Sequence, residues 1–171
     1  EQEFIQFWVN TPAKYKMEAP YYLPISADDT PKIKKENAEI SIVAGTFESK
    51  IGPAKTYSPQ TLLRIEAKLG AKLQLPIPNT YNTILYVLNG NLVIDGQKVK
   101  AKDMVWFENN GDYIEIESTA TTRFIVLSGE PIGEPVASYG PFVMNSQEEL
   151  QQAVNDFHNG DMGTLKETFE S

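Results

Sequence analysis

From Ala38 onward, apolar residues come in short runs that alternate with polar ones, and dipeptides suited to tight turns separate the runs. Ile40, Ile42 and Ala44 recur at every second position. Leu63, Ile65, Ala67 and Leu69 alternate with Arg64, Glu66 and Lys68, the pattern of a strand with one face buried. Ile84 to Leu88 and Leu92 to Ile94 flank Asn89-Gly90, while Asp95-Gly96 and Asn110-Gly111 are further dipeptides that accept the positive φ angles of hairpin turns. Tyr113 to Ile116 and Arg123 to Leu127 complete the series. Seven or eight short strands at this spacing predict an all-β, antiparallel sandwich or barrel.

The flanks follow other rules. Residues 11 to 37 carry Pro12, Pro20, Pro24 and Pro31, a density that resists both helix and central strand and predicts an extended connector. Asp28-Asp29, followed by Thr30-Pro31, reads as a solvated turn rather than an acid/base pair. Phe4, Ile5, Phe7, Trp8 and Val9 read as a strand belonging to something larger. At the other end, Ser146-Gln147-Glu148-Glu149 is a capping box. Leu150, Ala153, Val154 and Phe157 then share one helical face, and Gly160 is the stop signal. A weaker second helix is expected over Leu165 to Phe169. Glu148 and Glu149 are explained by the helix dipole without catalysis.

Composition removes several kinds of chemistry. The 171-residue chain is long enough for one domain with a real core. Its formal charge of −8 disfavours direct nucleic-acid contact, and no apolar run is long enough to cross a bilayer. The first residues have neither the basic nor the apolar region of a signal peptide. There is no cysteine, hence no disulfide or thiolate site, which fits a cytoplasmic address. His158 is the only histidine, so a site needing two imidazoles from one chain is impossible. A single histidine is ordinarily structural or solvent-facing.

Gly70 to Gly90 reads GAKLQLPIPNTYNTILYVLNG. Its spacing resembles the first motif of metal-binding cupins, G(x)5HxH(x)3-4E(x)6G, whose histidines and glutamate point into a small β-barrel. The glycines are in place, but the ligand positions read Pro76, Pro78 and Thr83. Proline has no side-chain donor, and one threonine hydroxyl is a poor ligand for iron, zinc or manganese. A loose second motif runs from Lys102 and Asp103 through Phe107, Glu108 and Asn110, and sets the fourth ligand position at or beside Tyr113. The resemblance implies a cupin (double-stranded β-helix, or jelly-roll barrel) with an extended N-terminal segment and one or two C-terminal helices. It also implies a degenerate metal site, with Pro76-Ile77-Pro78 packed into the barrel mouth.

Two segments narrow the family. GEPIGEPVASYGPFVMN at residues 129 to 145 resembles the pirin signature GEPxxEPVxxxGPFVMN, and IQFWVNTPAKYKME at residues 5 to 18 resembles its LQLWVNLPxxxKM segment. IVAGTFESKIGPAKTYSP at residues 42 to 59 is similar to the start of the family's second domain. Pirins are bicupins, and their metal, usually iron, sits in the N-terminal barrel on three histidines and a glutamate. No position here matches that motif.

The resemblance therefore implies an extended interdomain segment at 1–37, a metal-free barrel at 38–140 and a helical docking segment at 141–171. It implies no cofactor in this chain and iron in the other barrel. The expected partner is that barrel or a second copy of this chain, with no membrane and no nucleic acid. The family's quercetin 2,3-dioxygenase activity and nuclear co-regulator role become attributes of a longer molecule. A metal-independent small-ligand site lined by Trp106, Phe107 and Tyr113 is the alternative.

Overall fold

The computed structural model describes residues 4–163. They divide into two compact units, one built from residues 20–131 and the other from the remaining N- and C-terminal residues, with the second boundary between Pro131 and Ile132.

In the larger unit the period-two pattern has become two antiparallel sheets. One has six strands in the order β1 (Lys32–Lys35), β2 (Ala38–Ala44), β5 (Gln60–Ala67), β12 (Thr122–Gly129), β7 (Asn82–Asn89) and β10 (Met104–Phe107). The other has four: β6 (Lys72–Pro76), β11 (Tyr113–Ser118), β8 (Asn91–Ile94) and β9 (Gln97–Lys100). A small hairpin, β3 (Thr46–Phe47) with β4 (Lys50–Ile51), stands apart. The central ladder pairs β12 with β5 from Thr122↔Ala67 to Gly129↔Gln60, and with β7 on its other side. Because side chains alternate, one residue in two from each sheet enters a shared core. Ile40, Ile42, Leu63, Ile65, Leu85, Val87, Phe124 and Val126 are fully buried there, opposite Leu73, Leu75, Leu92, Ile114 and Ile116. These side chains form one continuous apolar core.

Several expectations need correction. Lys32–Lys35, assigned from proline density to the connector, is an edge strand paired with β2 from Lys32↔Ser41 to Lys35↔Ala38. Pro31 precedes it, where a missing N–H costs nothing. Leu69 lies beyond the end of β5 and is exposed, since β5 stops at Ala67. Asp95-Gly96 does close a two-residue hairpin, with φ of 48° and 72° and Ile94 facing Gln97. Asn89-Gly90 and Asn110-Gly111 do not: each lies where the chain leaves the six-stranded sheet for the four-stranded one. Gly90, at φ 81°, is still required, because a Cβ there would collide with the Thr122 hydroxyl and the Thr121 carbonyl.

In the smaller unit, residues 4–12 form no strand, contrary to the reading of Phe4 to Val9, and Ala13–Tyr15 is a single 3-10 turn. β13 (Ala137–Tyr139) and β14 (Phe142–Met144) make a hairpin against which α1 (Gln147–Asn159) packs. The capping box is formed as read: the Glu149 N–H donates to Ser146 Oγ, the Ser146 N–H donates to Glu149 Oε2, and Gly160 ends the helix at φ 81°. Leu150 and Ala153 are buried and Val154 is half-buried, whereas Phe157 stays exposed with an edge-to-face contact to Phe142 at 6.0 Å. His158 is exposed in the last turn. The proposed second helix over Leu165 to Phe169 lies outside the described residues.

Polar groups hold this unit's N-terminal segment. The Ala13 N–H donates to Glu134 Oε2 at 2.7 Å, and Asn145 Nδ2 donates to the same oxygen at 3.0 Å and to the Pro135 carbonyl at 2.9 Å. Lys16 Nζ reaches Asn10 Oδ1 at 2.7 Å and the Val143 carbonyl at 3.1 Å. Glu134, Pro135, Val143 and Asn145 thus all bind the N-terminal segment or each other.

Candidate functional site

The strand ends that carry the cupin ligand frame surround a cleft of about 630 Å³ in the larger unit. Pro78, Thr83 and Tyr113 line it, and Pro76 does not. Alternation explains the split. Along β6 and beyond, Leu73, Leu75 and Ile77 take the buried phase, which puts Lys72, Gln74, Pro76 and Pro78 on the exposed one. The packing role expected for Pro76-Ile77-Pro78 is therefore carried by Ile77 alone. The other sheet edge repeats the rule: Tyr113 faces Pro76 across the β6–β11 ladder and is 54% exposed, while the next residue, Ile114, is buried.

Thr83 occupies the opposite kind of position. It sits on the inward phase of β7, 2% exposed, with its hydroxyl 2.8 Å from Ser128 Oγ on β12, in a register where Thr83 faces both Ser128 and Phe107. Burying two hydroxyls beside an apolar core is tolerable because each satisfies the other. The sequence showed Thr83 and missed Ser128, which lies 45 residues away with no local motif to announce it.

These residues do not fit a resident metal ion. Two positions have no donor atom, the third hydroxyl is already engaged, and the fourth lies in the exposed phase of another sheet. Among the described residues no group of three or more His, Cys, Asp or Glu side chains could hold a metal. The set of polar groups around the cleft is instead mixed. Asp95, Glu108 and Glu115 supply carboxylates, Lys98 an ammonium, and Trp106 and Tyr113 exposed aromatic surface. Glu108 Oε2 accepts from Asn110 Nδ2 at 3.3 Å, and Asn109 Nδ2 donates to Asn82 Oδ1 at 3.2 Å. Val105 and Phe107, on the inward phase of β10, pack against the core beneath.

Asp28 and Asp29 do not form a catalytic pair. Asp29 Oδ2 accepts from the Ser26 hydroxyl at 2.7 Å and its N–H at 3.2 Å, a turn closure that holds its carboxyl below the ordinary value.

A six-plus-four antiparallel barrel with this glycine-bounded ligand frame is a cupin. Residues 62–163 match the Pirin C-terminal cupin domain, and the chain belongs to the pirin family. The Pseudomonas aeruginosa protein PA2418 is 35% identical over 160 residues, covering 92% of this chain and 56% of the relative. Homo sapiens pirin is 32% identical over 164 residues, covering 93% and 57%. A crystal structure of quercetin 2,3-dioxygenase from Acinetobacter baumannii superposes with a TM-score of 0.86 at 32% identity, covering 93% of this chain and 56% of that one. The chain spans a little over half the length of these relatives. No helix among the described residues is long and apolar enough to cross a membrane.

Proposed function

We propose that this chain is the metal-free, C-terminal barrel of a pirin-like two-barrel protein, and that it acts as the structural and interaction half of that molecule. Its partner in this reading is an N-terminal cupin barrel, which carries the iron and any quercetin 2,3-dioxygenase-type or co-regulator activity. The observation that carries the reading is the state of the ligand frame. Pro76 and Pro78 offer no donor atom, and the Thr83 hydroxyl is committed to Ser128 inside the barrel. Of the four ligand positions only Thr83 is buried, and it serves packing rather than ligation. The coverage of the relatives, 56% and 57%, supports a second barrel as the remainder.

Elemental analysis tests this reading. The purified chain should hold far less than one iron, zinc, copper or manganese per molecule and show no flavonol oxygenase activity. The product of the complete coding region should hold about one metal, and its upstream sequence should contain the histidine-bearing frame. A stoichiometric metal in this chain that survives Thr83→Ala and Tyr113→Phe would overturn it.

A further inference from the structure

We propose that the cleft between Pro78, Lys98, Trp106 and Tyr113 is a metal-independent binding site for a neutral cyclic polyol of the pyranose class. This goes beyond the supporting role above and does not depend on it.

At about 630 Å³ the cleft has the size of a small-molecule site. Its lining decides the chemistry by elimination. Three carboxylates, Asp95, Glu108 and Glu115, against the single ammonium of Lys98 disfavour a phosphate or carboxylate ligand. An organic cation would suit the acids and aromatics, but the same lining carries the Lys98 ammonium. Such a cation would also leave the cleft's donors without acceptors. Those donors are several: the Trp106 indole N–H, the Tyr113 hydroxyl, the Asn79 amide and Lys98 Nζ make no hydrogen bond among the described residues. A purely apolar ligand would bury these groups unpaired.

A sugar hydroxyl both donates and accepts, so a ring bearing several of them can satisfy carboxylates and N–H groups together. The apolar face of a pyranose needs a flat partner, and Trp106, 70% exposed, and Tyr113, 54% exposed, provide aromatic surface that the fold leaves uncovered. Both stand on backbone fixed by ladders, Trp106 opposite Ile84 and Tyr113 opposite Pro76, so the site is formed before any ligand arrives.

The test uses the full chain carrying Trp8→Phe, so that Trp106 is the sole indole, titrated with glucose, galactose, cellobiose and maltose. At least one sugar should shift the Trp106 emission saturably, and calorimetry should give the same affinity with EDTA present. In calorimetry, Trp106→Ala should weaken that affinity about tenfold or more, and Lys98→Met roughly fivefold. Both side chains are exposed, so the melting temperature should not move. The proposal is overturned if no sugar binds, if binding survives Trp106→Ala unchanged, or if catechol, phosphate or tetramethylammonium binds in preference to all four sugars.

Discussion

The two units of this chain are held by different forces. The barrel unit rests on a continuous apolar core in which Phe124, Ile40, Ile42, Leu63 and Val126 are 0% exposed. Among its described apolar residues, the unit made from the chain's ends buries only Ala137, Leu150 and Ala153, and it relies on Glu134, Asn145 and Lys16 to fix its N-terminal segment. Apolar burial is non-directional and tolerates drift in sequence. A hydrogen-bond network requires particular atoms at particular places. That difference accounts for where the family signature falls. GEPIGEPVASYGPFVMN and WVNTPAKYK hold Glu134, Asn145, Asn10 and Lys16, the residues of the network, and none of the cleft. The signature marks an architectural clasp.

The sharpest break between the units should come from Phe124→Ala. Emptying a fully buried ring position in the central strand should cost about 3–5 kcal/mol in urea denaturation of the barrel. Phe157→Ala, at a 60% exposed helix position, should cost under ~1 kcal/mol. Equal losses would mean that both units share one type of core.

Next in size is the buried hydroxyl pair. Thr83→Val leaves Ser128 Oγ without its partner and should cost about 1–3 kcal/mol, while Thr83→Val with Ser128→Ala should recover most of that loss. The double-mutant cycle is read by chemical denaturation. Additive losses would show that the two hydroxyls are not energetically coupled.

Glu134→Ala removes the acceptor of both Ala13 N–H and Asn145 Nδ2 and should cost about 1–3 kcal/mol, confined to the smaller unit. Amide exchange at Ala13 should accelerate, while exchange in β5, β7 and β12 stays as slow as before. Faster exchange in those strands would contradict separate stabilisation.

The same contrast governs how much of the molecule was legible in the sequence. Period-two burial made β2, β5, β7, β11 and β12 readable, and the capping box and Gly160 marked the two ends of α1, because all these signals are local. Pairing partners were not. Asn89-Gly90 states a positive φ but not that the next strand joins the other sheet, and nothing near Lys32 announces its ladder with Ser41. Of the positions named by the ligand frame, Pro78, Thr83 and Tyr113 line the cleft. The frame could not show that Pro76 falls on the outward phase, since spacing in a motif fixes sequence distance and the burial phase of β6 is set by Leu73 and Leu75. Asp95 and Lys98 reached the cleft unannounced from the β8–β9 hairpin, and Asn79 from the loop between β6 and β7.

The smallest effect concerns pH. Glu148 lies in the first turn of α1, where its own backbone N–H and then the Ser146 hydroxyl hold its carboxyl below the ordinary value of 4.5. A carboxyl whose value is lowered by folding adds stability that is complete above its unfolded value and is lost as pH falls through the folded one. Between pH 5 and 8 this group should leave the helix unchanged, and below 4.5 the first turn of α1 should loosen, seen as faster amide exchange at Glu149 and Leu150. Glu148 is fully exposed, so the effect should shrink as salt is raised. Glu148→Gln should flatten the acid side of the profile while leaving the barrel strands unaffected. An acid transition of equal size in β12 would show that the two units do not respond to charge separately.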